Sequence, residues 1–245
     1  MRPPVFHSAG RSHVGKVRQV NEDAFLCRDE AGLWAVADGM GGHHAGDVAS
    51  QAIVHALGQI PRREALSEAV DAVDDMLEQA NTSLRYRAAA QEPPRTCGST
   101  VVALLLRDRC GAILWAGDSR LYRLRHGQLA QLSEDHSQVQ DLVKQGMILE
   151  EDAAAHPAAN VITRAVGAAD RLCLDVDVFQ VQPGDIFLLC SDGLYREVGE
   201  TELPTLLAQP PAQAAAACVQ AALARGGRDN ITAVVVQAQA ETGAA

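Results

Sequence analysis

The sequence predicts an α+β protein built as an α-β-β-α sandwich: two central antiparallel sheets flanked by helices. Three observations support this. Short, continuous apolar runs recur along the chain, as in strands covered on both faces. Helical periodicity falls in a few blocks between groups of strands; regular strand–helix alternation is absent, which argues against a parallel doubly wound sheet. Several apolar runs begin or end on an Asp beside Gly or Asn, which would set carboxylates at the rim of the core.

Taken in order, the first strand-like runs cover residues 24–28 and 33–37. Residues 45–57 follow with apolar positions 48, 49, 52, 53, 56 and 57 on one helical stripe. Residues 64–87 carry a second stripe at 66, 69, 70, 73, 77, 80 and 84. Strand-like runs return at 100–107, 111–116 and 121–124. Residues 136–161 are polar, alanine-rich and poorly patterned, so they read as a candidate flap that leaves the core. Runs at 172–178 and 185–190 come next. A helix is expected from Pro211 to about Leu223, with Pro210-Pro211 at its start and Gly226-Gly227 past its end. The run 231–237 closes the pattern.

With 47% hydrophobic residues in 245, the chain can fill a core as a single domain over residues 1–245, its core spanning about 5–238. No segment approaches the roughly 20 apolar residues that span a bilayer, and the first residues lack a signal-peptide pattern. A soluble, cytoplasmic monomer without membrane partners is expected. Net charge is −10 with no Lys/Arg cluster, and aromatics are only 4%, so nucleic-acid binding is disfavoured. The six cysteines show no CxxC spacing; most lie in apolar runs, where a free thiol packs as a small hydrophobe.

Four acidic stretches stand out: Asn21-Glu22-Asp23, Asp38-Gly39-Met40-Gly41-Gly42, Ser191-Asp192-Gly193 and Asp229-Asn230. Carboxylates meeting at one rim repel unless a cation lies between them. Oxygen-only ligands suit hard divalent ions, Mg²⁺ or Mn²⁺. The pattern points to a carboxylate-walled centre for two ions.

The motifs, in chain order, resemble those of the metal-dependent Ser/Thr protein phosphatases of the 2C type. They are Gly15-Lys16-Val17-Arg18-Gln19-Val20-Asn21-Glu22-Asp23, Ala37-Asp38-Gly39-Met40-Gly41-Gly42, Cys97-Gly98-Ser99-Thr100, Ala116-Gly117-Asp118-Ser119-Arg120, Ser133-Glu134-Asp135-His136-Ser137, Ile162-Thr163-Arg164-Ala165-Val166-Gly167, Cys190-Ser191-Asp192-Gly193-Leu194 and Arg228-Asp229-Asn230-Ile231-Thr232. A lone Asp-Gly would read as a turn; eight motifs in order are specific. The length resembles that of short bacterial members.

The resemblance implies that Asp38 bridges two ions, with Asp192 and Asp229 completing the first site. The carbonyl of Gly39 and the carboxylate of Glu22, directly or through water, would serve the second. A metal-bridging water or hydroxide would then attack phosphorus in line. Arg18 would clamp the phosphate, because a guanidinium fork matches two phosphoryl oxygens. Asp23 would support the site from behind. Asp118 would help hold a third, weaker ion together with Asp192. Asp135 and His136 would form a structural turn. The sequence departs from some members in carrying Met40 where they have a His proposed as general acid; methionine cannot donate that proton. Candidate substitutes are a metal-bound water, His43, His44 and His156.

The implied partners are phosphorylated proteins and a cognate bacterial Ser/Thr kinase. An alternative is a catalytically weak phosphoprotein-binding sensor, which loss of a metal carboxylate would favour. Another is a hydrolase of small phosphoesters or nucleotides, although no Walker-type Gly-rich loop is present.

Overall fold

Strand residues of alternating parity face different neighbours, and that alternation builds four layers. A computed structural model describes residues 3–41, 45–91, 97–153 and 155–240. In chain order the elements are β1 (Val5–His13), β2 (Asp23–Arg28), β3 (Leu33–Met40), α1 (Ala45–Gly58), α2 (Leu66–Ala89), β4 (Gly98–Ser99), β5 (Val101–Arg107), β6 (Cys110–Ala116), β7 (Arg120–Arg125) and β8 (Gln128–Gln131). Then come α3 (Gln138–Lys144), α4 (Glu150–Ala153), β9 (Asp175–Gln180), β10 (Ile186–Cys190), α5 (Asp192–Tyr195), α6 (Leu203–Leu207), α7 (Pro211–Arg225) and β11 (Ile231–Gln239). One sheet has the order β1-β11-β10-β7-β8; the other runs β2-β3-β5-β6-β9, with β4 paired to β3. The pairings are antiparallel. The expected fold class is therefore the observed one.

Along β3, Trp34 and Val36 face the opposite sheet, where they meet Phe187, Leu189, Val234 and Val236 in a common core. Leu33, Ala35 and Ala37 face the other way and pack with Ile53 and Leu57 of α1 and Val73 and Leu77 of α2. On the first sheet, Leu188, Ala233 and Val235 pack under Leu207, Cys218, Val219 and Ala222. Strands buried on both faces must be apolar throughout, which is why their runs are continuous.

Several boundaries differ from expectation. The strand expected at 172–178 begins only at Asp175, because Leu172 and Leu174 pack instead against the helix-covered core. In α1 the buried stripe runs through Ala45, Ala49, Ile53 and Leu57, whereas Val48 is exposed. Cys97, Cys190 and Cys218 are buried as small apolar groups, but Cys110 and Cys173 are exposed. Residues 138–144 and 150–153 of the candidate flap are helical.

That segment is closed at its base. Gln138 donates its N–H to the Val161 carbonyl at 2.8 Å, and Thr163 donates to the His136 carbonyl at 2.8 Å. His136 is buried, stacks on Trp115 and meets Asp175 at 3.1 Å through Nε2. Asp135 holds Arg120 in a two-oxygen pairing at 2.8–3.2 Å. Among the described residues no helix is long and apolar enough to cross a membrane.

Phe187 sits fully buried between the sheets, 5.6 Å from Phe179 ring to ring. Phe187→Ala should lower the unfolding free energy by about 3–5 kcal/mol, as large-to-small changes in packed cores do. Chemical denaturation measures this, and an unchanged midpoint would show that the sheets do not depend on this contact.

Candidate metal centre

Both sheets end at a common edge, and the acidic motifs lie there. Asp38 is on β3, register-paired with Asp23 at the start of β2. Asp192 opens α5 directly after β10, and Asp229 stands just before β11. Asp118 lies in the turn between β6 and β7. These elements surround a cavity of about 330 Å³. Every expected site residue lines it: Arg18, Glu22, Asp38, Gly39, Asp118, Asp192 and Asp229. Met40 also lines it; His156 does not, and Gly42, His43 and His44 lie outside the described residues.

The backbone around Asp38 is held on several sides. Its N–H donates to Thr100 Oγ1 at 3.1 Å, and its carbonyl accepts from the Thr100 N–H and from Ser99 Oγ, each at 2.9 Å. Gly39 donates its N–H to the Glu22 carbonyl at 3.0 Å. A Cβ at Gly39 would fall on the Gly46 carbonyl, so only glycine lets α1 approach β3 this closely. Glu22 Oε1 in turn accepts the Gly46 N–H at 3.2 Å in the first turn of α1, where a carboxylate is favoured.

Asn230 secures the loop that carries Arg18 and Glu22. Its Oδ1 accepts the Glu22 N–H at 2.7 Å, and its Nδ2 donates to the carbonyls of Val14 and Val20 at 2.9 and 3.0 Å. Arg18 reaches Asp229 at 2.8 Å while its side chain stays 54% exposed, so it faces both the cavity and solvent. Asp23 is buried behind the cavity; Ser191 and Thr232 hydroxyls donate to its Oδ2 at 2.7 Å each, and its Oδ1 has no hydrogen-bond partner among the described residues.

Crowding shows in the proton affinities. Burial, followed by repulsion from Asp23, Asp192, Asp118 and Asp229, raises the Asp38 carboxyl well above its ordinary range. Burial also raises Asp192, with Asp229 adding to the shift and Arg196 opposing it. Asp118 is pushed to about 6 by burial, Asp192 and Asp135, against the pull of Arg196. Asp23 rises to about 7, chiefly through burial, which its two hydroxyl donors only partly offset.

The donors suit a hard divalent ion: carboxylates and backbone line the cavity, with no thiol or imidazole among its lining residues. Yet among the described residues no three His, Cys, Asp or Glu side chains are gathered at metal-coordinating range. Sequence reasoning left three contributors without a role. Thr100 and Asn230 stood in the motifs but had no visible partner, and Arg196 had only its four-residue spacing from Asp192 as a signal.

A two-sheet sandwich with this acidic edge is the layout expected of 2C-type phosphatases. A family model described as Protein phosphatase 2C matches residues 9–230, and the chain belongs to that family. It is 35% identical over 240 residues to the serine/threonine phosphatase stp of Listeria welshimeri, covering 94% of this chain and 95% of that protein. The structure of PppA, described as a key regulatory component of T6SS in Pseudomonas aeruginosa, superposes with TM-score 0.90 at 46% identity, covering 97% of this chain and 100% of that one. The catalytic domain of the serine/threonine protein phosphatase PstP, solved in complex with 2 manganese ions, gives TM-score 0.87 at 33% identity, covering 96% and 99%.

Asp23 also sets a pH dependence. A raised folded-state pKa means the folded chain keeps a proton that the unfolded chain releases near pH 3.9. The associated stability is fully present below that pH and is lost as pH rises through about 7. In chelator, the wild type should therefore lose more Tm between pH 4 and 7 than Asp23→Asn, which mimics the protonated form. The expected gap is at least about 3 °C, roughly what 1 kcal/mol is worth in a chain this long. Parallel melting curves for the two proteins would remove Asp23 as the titrating group.

Proposed function

We propose that this chain hydrolyses phosphoserine and phosphothreonine in proteins, using two Mn²⁺ or Mg²⁺ ions, and so opposes a Ser/Thr kinase. The convergence of Asp38, Asp192, Asp229 and Arg18 on one cavity carries the reading. Asp38, Asp192 and Asp229 would hold the first ion, with Asp38 shared; the Gly39 carbonyl and Glu22 would serve the second. Such ions, when bound, supply Lewis acidity that activates water and neutralises phosphoryl charge. Support comes from the oxygen-only donor set and from the two manganese ions of the PstP catalytic domain.

The chain's own residues divide the remaining work. Arg18 pairs with Asp229 through one guanidinium nitrogen and keeps further N–H donors for phosphoryl oxygens at the open side of the cavity. Hydrogen bonds with Thr100 and Ser99 fix the main chain of Asp38 at the cavity wall. Met40 lines the cavity but cannot protonate the leaving alkoxide. Asn160 brings the 136–161 segment to the cavity wall, with Ile162 just beyond it, where the segment would meet the peptide around the phosphoresidue. A non-catalytic sensor would call for a missing ligand, and all three core carboxylates reach the cavity. The net charge of −10 favours a protein substrate over nucleic acid. A cytoplasmic monomer remains the simplest setting for this activity.

Purified protein should dephosphorylate phosphothreonine peptides with Mn²⁺ or Mg²⁺ and lose that activity in EDTA. Asp38→Asn should lower turnover by orders of magnitude while leaving the circular dichroism spectrum folded. Phosphate release by a sample proven metal-free would falsify the two-ion reading. Arg18→Ala should reduce kcat/KM about ten- to a hundred-fold, since charge-assisted hydrogen bonds are worth roughly 1.5–3 kcal/mol. Its KM should rise at least as clearly as kcat falls. Steady-state kinetics tests this, and an unchanged kcat/KM removes Arg18 from phosphate binding.

A further inference from the structure

The resemblance to 2C-type phosphatases sets a third, weaker ion beside Asp118 and Asp192. In this chain a side chain already lies there. Arg196 follows Asp192 by one helical turn, and its Nε is 3.1 Å from Asp192 Oδ2. Its Nη2 lies 3.5 Å from Asp118 Oδ2, and its Nη1 donates to Asn160 Oδ1. The guanidinium thus joins three segments that are distant in sequence: the turn before β7, the start of α5 and the end of the 136–161 segment. It also forms part of the wall between the 330 Å³ cavity and a neighbouring one of about 480 Å³.

Charge and space both favour the arginine over a third ion. Asp118 is only 6% exposed; of the other arginines lining the two cavities, Arg18 pairs with Asp229, Arg228 lies 3.8 Å from Glu197, and Arg120 is taken up by Asp135 and stacked over Tyr195 at 3.7 Å. Arg196 is therefore the cation that balances Asp118. A divalent ion would need the same carboxylate oxygens, with its own waters, inside the volume the guanidinium fills. A tethered guanidinium stays charged at any working pH and cannot dissociate.

We propose that Arg196 is a built-in cation that takes the place of a third metal ion between Asp118 and Asp192, leaving this chain with two exchangeable ions. The inference rests on the two-ion reading above. It makes Arg196 a positioning residue, one that fixes Asp118, Asp192 and Asn160 relative to one another.

The test counts bound Mn²⁺ on the full chain by equilibrium dialysis and elemental analysis, up to millimolar free metal. Wild type and Asp118→Asn should each bind two ions. Arg196→Met, which keeps the stem but removes the charge, should bind three, and adding Asp118→Asn to it should return the count to two. A wild type that binds three ions and drops to two in Asp118→Asn overturns the proposal. So does a folded Arg196→Met that stays at two. Should Arg196→Met fail to fold by circular dichroism, the wild-type and Asp118→Asn counts decide alone. Fewer than two ions on the wild type removes the two-ion reading and the proposal with it, an outcome distinct from a count of three.

Discussion

Mutual repulsion among buried carboxylates is the constraint around which this molecule is organised. Asp23, Asp38, Asp118 and Asp192 lie in or behind one edge where burial disfavours their charge, and Asp192 adds to the proton affinity of the other three. A chain does not hold such groups together by accident, because each buried charge needs a partner or a proton. Here Arg196 partners Asp118 and Asp192, the Ser191 and Thr232 hydroxyls partner Asp23, and Arg18 pairs with Asp229 at the same rim.

The sandwich makes this tension tolerable. Trp34, Phe187 and Val234 fill the space between the sheets, and helices seal both outer faces, so the rim is not what holds the fold together. The rim is instead shaped by local devices. Asn230 spends its whole side-chain amide on the loop that carries Glu22. Gly39 and Gly46 allow α1 to press its first turn against β3, which brings the positive end of a helix to Glu22.

How far the sequence could be read followed from where each signal was local. The runs in β3, β5, β10 and β11 were plain because those strands are covered on both faces. β1 was not visible: its polar residues form an edge strand whose place comes from backbone pairing with β11. β8 is a four-residue edge hidden for the same reason. The site carboxylates were legible because motif and strand end coincide. Arg196 was not, since its second carboxylate, Asp118, is 78 positions away and only folding brings them together. The hydrogen-bonding duties of Thr100 and Asn230 likewise needed their partners in view.

The pinned base of the segment between His136 and Thr163 has a bearing on how this architecture can diversify. Two backbone hydrogen bonds bring its ends side by side, so the sheets experience only a closed gate, whatever hangs beyond it. Doubling such an excursion raises its closure cost by only about 0.6 kcal/mol. The segment could therefore be lengthened, shortened or exchanged for an unrelated one with little strain on the frame. The segment and the acidic edge would then change on separate evolutionary clocks, with Asn160 as one seam where a graft would have to match.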